Sequence, residues 1–181
     1  FNITNGLARH ITDLTIPSGV TAFRDAALGN LNIVGALTNS GNLLAITSNS
    51  SVSTAVISAA NIANQQGAVI SSLGANNTFG INTALQQLNL SLFAAQNILN
   101  SGSILSSGNL NLSAGESITN ALVSSIAAPA PVMQSMGALN IYSGIGAITN
   151  AGLIQSTASN INISAEVSRN IVLNNMNGLI Q

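Results

Sequence analysis

Charged residues are the scarcest component of this chain. Of 181 residues, three are Arg, none is Lys and four are acidic, so charged residues make up 4%, where about 25% is usual in a soluble domain. With a net charge of −1, the chain lacks the basic surface that phosphate recognition requires, and nucleic-acid binding is excluded. Low charge together with 46% hydrophobic residues also excludes intrinsic disorder, which needs the reverse composition.

Other absences narrow the possibilities further. Without Cys, the chain can form neither disulfides nor thiolate metal sites. Each apolar run is interrupted within a few positions by Asn, Ser, Gln or Gly, so no helix of about 20 apolar residues is available to cross a membrane. Because the chain starts at Phe1 with no leader pattern, we interpret it as a processed product or an excised fragment.

What the chain does contain is Asn, Ser and Gly, about a third of its residues, arranged in repeats. A short alternation of apolar and polar residues, typical of a strand, recurs at residues 31–33, 88–91, 110–113, 139–141 and 161–164. The copies at Leu88 and Leu110 are 22 residues apart, as are those at Leu139 and Ile161. A repeat of this length is typical of one turn of a solenoid.

A second signature follows these strands, in which an apolar residue precedes Asn and, after a short spacer, Gly. Since Asn and Gly reach positive φ at low cost, each copy is predicted to turn the chain between two strands. The predicted turn and ladder residues are Asn39, Gly41, Asn64, Gly67, Asn100, Gly102, Asn150, Gly152, Asn175 and Gly178.

These repeats predict an all-β fold, a parallel β-helix of about 7–8 coils. Neighbouring coils lie about 4.8 Å apart, and like residues align along the stack. Aligned Asn side chains can hydrogen-bond to one another, whereas aligned like charges would repel, which explains why the repeats contain so few. Over residues 82–100 the leucine spacing fits an amphipathic helix nearly as well, although the Asn, Ser and Gly content favours strands.

The predicted solenoid spans residues 30–181 and follows an atypical segment, residues 1–29, interpreted as a cap or docking element. That segment holds a concentration of the ionisable residues, namely Arg9, His10, Asp13, Arg24 and Asp25. Two stretches break the repeat and are predicted to be loop-like insertions, near residues 73–87 and 121–138. The second contains Pro129 and Pro131, and proline cannot donate to a central strand ladder.

The repeats between residues 88 and 120 resemble those of filamentous-haemagglutinin-type adhesins. The resemblance rests on AQNILNSG at 95–102 and SSGNLNLSAG at 106–115, and it extends over residues 30–181. Members of that family are secreted bacterial proteins with right-handed β-helices. The resemblance therefore implies a right-handed coil, an extracellular or cell-surface location and a bacterial source.

Candidate chemical sites are few. The acidic residues are too scattered for catalysis, and Glu116 and Glu166, each after a Ser-Ala step, are interpreted as equivalent solvent-facing turn positions. His10 with Asp13 is interpreted as solvated surface rather than part of a metal site, and Glu166 with Arg169 as a surface ion pair. No catalytic, cofactor or metal site is predicted, and enzymatic activity is not expected.

Two further residue classes were weighed for recognition roles. The six Asn-x-Ser/Thr sequons, at Asn2, Asn49, Asn76, Asn89, Asn111 and Asn162, are interpreted mainly as strand alternation rather than glycosylation sites. The aromatic residues are judged too sparse for carbohydrate stacking and are expected at core corners or a subunit joint. They are Phe1, Phe23, Phe79, Phe93 and Tyr142.

The functional expectation is an extracellular structural or adhesive fibre protein whose partner is itself, stacked head to tail. It is based on residues 175–181, which read as an unfinished coil that residues 1–29 of another subunit could cover. The alternative is a segment of a larger adhesin that binds a cell-surface or matrix ligand through the two insertions. An ice-binding solenoid is a remote third possibility, because Thr looks scattered in the sequence.

Overall fold

The computed structural model describes residues 11–47, 49–72, 87–122, 129–166 and 172–181. These residues form twenty strands in three parallel sheets. The first sheet contains β1 (Leu14–Ile16), β4 (Ala36–Asn39), β7 (Asn61–Asn64), β10 (Ile98–Asn100), β13 (Ile118–Asn120), β16 (Ile148–Asn150) and β19 (Leu173–Asn175). The second contains β2 (Thr21–Asp25), β5 (Asn42–Ile46), β8 (Val69–Ser71), β11 (Ser103–Ser106), β14 (Val132–Ser135), β17 (Leu153–Ser156) and β20 (Leu179–Ile180). The third contains β3 (Leu31–Asn32), β6 (Thr54–Ala59), β9 (Asn89–Ala94), β12 (Leu110–Ala114), β15 (Leu139–Ser143) and β18 (Ile161–Ala165).

Each coil of the chain contributes one strand to each sheet in turn. Strands that pair are three apart in chain order, so β4 pairs with β1 and β7, and the same step holds through all three sheets. The described strands make six complete coils and a seventh with β19 and β20. The predicted parallel β-helix of about 7–8 coils is confirmed.

Strand alternation directs one set of side chains into a continuous core. In the first sheet, Leu37, Ile62, Ile98, Ile118 and Ile148 occupy one register position, and each is at most 1% exposed. Burying such a side chain contributes about 1.5–3 kcal/mol. Because the column passes through every coil, no coil can be removed without exposing its neighbours.

The helical alternative for residues 82–100 is wrong. Within the described part of that stretch the chain forms β9 and β10. Leu88, Leu90 and Leu92 are each at most 2% exposed and alternate with polar residues at a period of two, which is the period of a strand facing a core. The spacing of the leucines over residues 82–100 thus fits both a helix and a strand, and pairing with the coils on either side favours the strand.

The boundary predicted at residue 29 differs from the structure. β1 pairs in register with β4, and β2 pairs with β5, so both belong to the first coil. A short 3₁₀ helix, Ala26–Leu28, follows β2 and connects it to β3. Residues 1–10, including Arg9 and His10, lie outside the described residues.

Of the two predicted insertions, only the second can be compared with the structure, and it differs at its edge. Of the first, residues 73–86 lie outside the described residues; Leu88, just after the insertion, is 2% exposed. The second, predicted at 121–138, contains β14, paired on both sides with β11 and β17. Pro131 directly precedes β14, where its missing N–H costs no ladder bond, and its carbonyl accepts from the Leu153 N–H at 2.8 Å. The chain therefore returns to the stack earlier than the prolines indicated.

Candidate functional surfaces

A continuous column of Asn side chains runs inside the corner between the first and second sheets. The amide Nδ2 of each donates to Oδ1 of the Asn one coil further along, at 2.8–2.9 Å in all five steps. We call this column the buried ladder; it consists of Asn39, Asn64, Asn100, Asn120, Asn150 and Asn175. All but Asn175 are at most 1% exposed.

Backbone groups fix the direction of the buried ladder. Asn100 Nδ2 also donates to the Val132 carbonyl at 2.9 Å and to the Gly102 carbonyl at 3.2 Å. Because carbonyl oxygens only accept, the nitrogen of the amide must face them. At the start of the column, where no preceding Asn donates, Asn39 Oδ1 accepts from the Gly41 N–H at 3.3 Å. Each fully buried amide is thereby satisfied, as burial of a polar group requires.

The structure brings five of the predicted Asn residues together and adds a sixth. Asn39, Asn64, Asn100, Asn150 and Asn175 share the column, and Asn120, which the sequence analysis missed, lies between two of them. Asn120 ends the tripeptide Ile-Thr-Asn, identical to that ending at Asn150. This tripeptide could have identified it, but the insertion that follows removes the Gly on which the signature depended.

The predicted reason for the glycines, positive φ, is wrong at most of them. Of the predicted set only Gly67 has a positive φ, +76°. A Cβ at Gly102 would lie 2.2 Å from the Ala68 carbonyl oxygen, and one at Gly41 would lie 2.3 Å from that of Val20. Gly152 and Gly178 have similar close approaches. These corners need Gly because the coil beneath passes too near for a side chain.

A second column of amides lies on the outer face of the third sheet. Asn162 Nδ2 donates to Asn140 Oδ1 at 2.7 Å, and Asn140 Nδ2 to Asn111 Oδ1 at 2.7 Å. The column ends where Asn111 Nδ2 donates to Ser91 Oγ at 3.1 Å. It is called the exposed ladder here because it faces outward; Asn162 is exposed, and Asn111 and Asn140 are half-buried. Two of its members, Asn111 and Asn162, belong to the sequons, and both take part in these strand-to-strand hydrogen bonds.

The aromatic residues of this face do not lie at core corners, one of the two places predicted for them. Phe93 and Tyr142 are 43% and 37% exposed and occupy the same outward register position, separated by Ser113. Phe23 is half-buried on the outer side of β2, and Phe1 and Phe79 lie outside the described residues. The other members of this column are Asn32, Ser58, Ser113 and Ser164, all smaller and polar.

One buried cation lies in the first coil. Arg24 is 1% exposed, points inward from β2 and donates from Nη2 to the carbonyls of Gly29 at 2.7 Å and Leu28 at 3.2 Å. Burial lowers the pKa of its guanidinium, while Asp25 acts in the opposite direction. Arg24 thus stabilises the corner after the 3₁₀ helix, where chain carbonyls turn inward.

The carboxylates serve local structure. Glu116 is half-buried and accepts from Asn97 Nδ2 at 2.8 Å, whereas Glu166 is exposed. Asp13 accepts from the Ala36 N–H at 2.7 Å, and Asp25 caps the 3₁₀ helix. Arg169, the predicted ion-pair partner of Glu166, lies outside the described residues. Within the described ranges, no group of three or more His, Cys, Asp or Glu side chains is placed to hold a metal ion.

Four threonines that look scattered in the sequence share one outward rank. Thr15 and Thr38 pair, as do Thr119 and Thr149, on the outer face of the first sheet. Ala63 and Leu99 separate the two pairs. An ordered hydroxyl surface of the kind expected for ice binding is therefore interrupted in its middle.

The seventh coil presents an open edge. Leu173 continues the core column of Ile148 but is 41% exposed, whereas Ile148 is 1% exposed. At the opposite end of the described stack, Ile16, Ala22 and Leu31 are each at most 1% exposed. Among the described residues, the core positions of the first coil are thus buried and those of the seventh are exposed or half-buried.

Comparisons with known proteins give no relative for this fold and these surfaces. No family model matches the chain, no curated protein is similar to it, and no solved structure matches it. Among the described residues, the structure contains no helix with the length and apolar character needed to span a membrane.

Proposed function

We propose that the chain is a structural or adhesive fibre subunit of the filamentous-haemagglutinin type, located outside a bacterial cell, whose solenoids stack head to tail. The open edge of the seventh coil supports this most directly. Leu173, Leu179 and Met176 are 41–63% exposed there, and the strands β18, β19 and β20 end their sheets. An edge of this kind pairs readily with another strand.

The forces that join coils within the chain would also join one subunit to the next. Parallel strands in register bury apolar columns and pair backbone groups, whichever chain supplies them. The scarcity of charge removes like-charge repulsion along the axis. A further coil of the same chain would cover the edge equally well, so the test uses the 181-residue chain on its own.

The joint would differ from a contact between internal coils. In the buried ladder every Nδ2 points toward the seventh coil, where Asn175 Nδ2 donates to the Gly178 carbonyl of its own coil. At the other end of the column, Ile16 occupies the position equivalent to Asn39. The amide column is thus interrupted at each joint, which predicts assembly that is weaker than folding and dependent on concentration.

Electron microscopy and sedimentation of the purified chain test this proposal. We expect filaments at high concentration, with a rise of about 34 Å for seven coils spaced about 4.8 Å apart. The double variant Leu173→Glu, Ile180→Glu should remain monomeric, because it places charges on the stacking edge. The matched control, Asn162→Glu with Ser164→Glu, adds the same charge to a side face and should still polymerise.

Monodisperse wild-type protein at every concentration would contradict the stacking proposal. Filaments that form equally well from the edge variant would also contradict it, because they would join through another surface.

A second function, recognition of a cell-surface ligand through the insertions, is supported at one corner. Ser72 Oγ donates to the Leu88 carbonyl at 2.6 Å, so the two residues that flank the first predicted insertion are in direct contact. Replacing residues 73–87 by a short Gly-Ser linker should therefore leave the melting temperature nearly unchanged. Adhesion of beads coated with this variant to host cells, compared with wild-type beads, tests the function, and undiminished adhesion would contradict it.

A further inference from the structure

The two exposed aromatic side chains on the third sheet lie in one line along the direction in which the coils stack. Phe93 lies on β9 and Tyr142 on β15, with Ser113 of β12 between them in the same register column. Two coil spacings place their backbone positions about 9.6 Å apart. This separation leaves room above Ser113 for one saturated six-membered ring between the two aromatic side chains.

The columns beside the rings are of two kinds. On one side lies the exposed ladder, whose Asn111 and Asn140 amides offer both donors and acceptors. On the other side, Ala95 and Gly115 are exposed beside Phe93 and Ser113, and Gly144, beside Tyr142, is buried. A Cβ at Gly115 would lie 2.2 Å from the Ala95 carbonyl oxygen. Packing therefore excludes a side chain at this position and leaves space for a ligand beside Ser113.

We propose that Phe93, Tyr142 and the exposed ladder form a binding site for a neutral saccharide. The C–H faces of a pyranose pack against aromatic rings, and its hydroxyls match side-chain amides that donate and accept at once. Fixed amides in a polar network lose little entropy when a ligand binds. The site does not depend on head-to-tail stacking, because one subunit carries all of it.

The charges near the site select against anionic sugars. Two described carboxylates flank this face: Glu116, which directly follows Gly115 and is half-buried, and Glu166, which lies one coil beyond Gly144 and is exposed. A carboxylate repels sulfated or uronic saccharides and accepts hydrogen bonds from neutral ones. The chain contains no Trp and a single tyrosine, Tyr142. Tyr142 is therefore its main fluorophore, and its emission can report on binding at the site.

Fluorescence titration of the 181-residue chain tests the site directly. The probes are neutral hexasaccharides of glucose, mannose, galactose and N-acetylglucosamine, with heparin and polygalacturonate as anionic comparisons. We expect a saturable change in Tyr142 emission with at least one neutral probe and none with the anionic ones. By calorimetry, Phe93→Ala and Tyr142→Ala should each weaken binding at least tenfold, while Phe93→Tyr retains it.

The matched control is Ser164→Ala, in the same column but outside the pair of rings, which should bind as the wild type does. Unchanged thermal melting of Phe93→Ala and Tyr142→Ala would show that their effect is on binding alone. No binding of any neutral probe would overturn the proposal, as would binding that survives loss of both rings or occurs only with heparin. If both variants instead abolish side-by-side association in sedimentation experiments without affecting saccharides, the rings serve contacts between copies and the proposal fails.

Discussion

The buried ladder and the exposed ladder use the same side chain at the same spacing in opposite surroundings. Steps in both measure 2.7–2.9 Å between amide groups. In the buried ladder Nδ2 points toward the seventh coil, and in the exposed ladder it points toward the first. Backbone carbonyls set the first direction, whereas the Ser91 hydroxyl ends the second.

Burial, rather than the hydrogen bond itself, therefore decides how much an Asn side chain contributes to the free energy of unfolding. An exposed amide that loses its partner bonds to water, so the net value of its bond is about 0.5–1.5 kcal/mol. A buried amide that loses its partner stays unsatisfied, at about 1–3 kcal/mol for each orphaned group. The buried ladder is therefore a requirement of the fold, and the exposed ladder is available for recognition.

Replacing one Asn by Ala in each ladder should give the largest difference in the free energy of unfolding. Asn100→Ala leaves Asn120 Oδ1 and the Val132 carbonyl without their Asn100 donor, whereas Asn64 Nδ2 keeps the Ala68 and Ser103 carbonyls as acceptors. We therefore expect a loss of about 2–4 kcal/mol in the free energy of unfolding. Asn140→Ala, its exposed counterpart, should cost about 0.5 kcal/mol. Urea denaturation followed by circular dichroism measures both, and equal losses would end the distinction between the ladders.

Adding a methyl group at a glycine corner should give the next largest effect. Gly102→Ala forces Cβ against two carbonyl oxygens of the coil beneath, at 2.2 and 2.5 Å, and should cost about 2–3 kcal/mol. Gly67→Ala meets no atom within 4 Å but has φ +76°, and should cost about 1 kcal/mol. Thermal melting separates the two causes. A larger loss at Gly67 would mean that backbone conformation, rather than close approach, selects glycine at these corners.

Placing charges on neighbouring exposed rungs should have the smallest effect. The pair Asn111→Asp, Asn140→Asp sets two carboxylates about 4.8 Å apart, and we expect a coupling penalty of about 1 kcal/mol at low salt. Repulsion raises the pKa of the pair in the folded state, so the penalty is present at neutral pH and lost as the pH falls. The control pair Asn111→Asp, Asn140→Lys should carry no penalty. A double-mutant cycle at low and high salt measures the coupling, and a salt-independent value would contradict the view that stacking disfavours charge.

The predictions from sequence succeeded where a residue's role follows from local alternation. The alternating tripeptides at 110–113 and 139–141 correspond to β12 and β15, because a period of two permits only a strand with one face inward. The recurring Asn residues likewise indicated a column, since each lies two residues after a Leu or Ile, although 20–36 residues separate successive members. Asn120 and β14 were missed because the insertion between them displaced the Gly that the signature required.

The surfaces depended on pairing between distant coils, which local patterns do not reveal. Phe93 and Tyr142 are 49 residues apart in the chain, and only the register through β12 places them in one column. Thr38 and Thr119 share a rank for the same reason, although both looked scattered. The buried Arg24 also gave no signal, because its partners are backbone carbonyls, which every sequence contains.

The stacking of the coils follows from the amino-acid sequence alone, because one weakly charged repeat of about 22 residues with alternating apolar positions cannot bury a core without its neighbours. Which residues of neighbouring coils pair with one another depends on the tertiary structure. Insertions of different length shift the register between coils, and only backbone pairing across neighbouring coils settles it. That register decides whether an Asn is enclosed between carbonyls or faces solvent, and whether two aromatic rings lie apart or along one line.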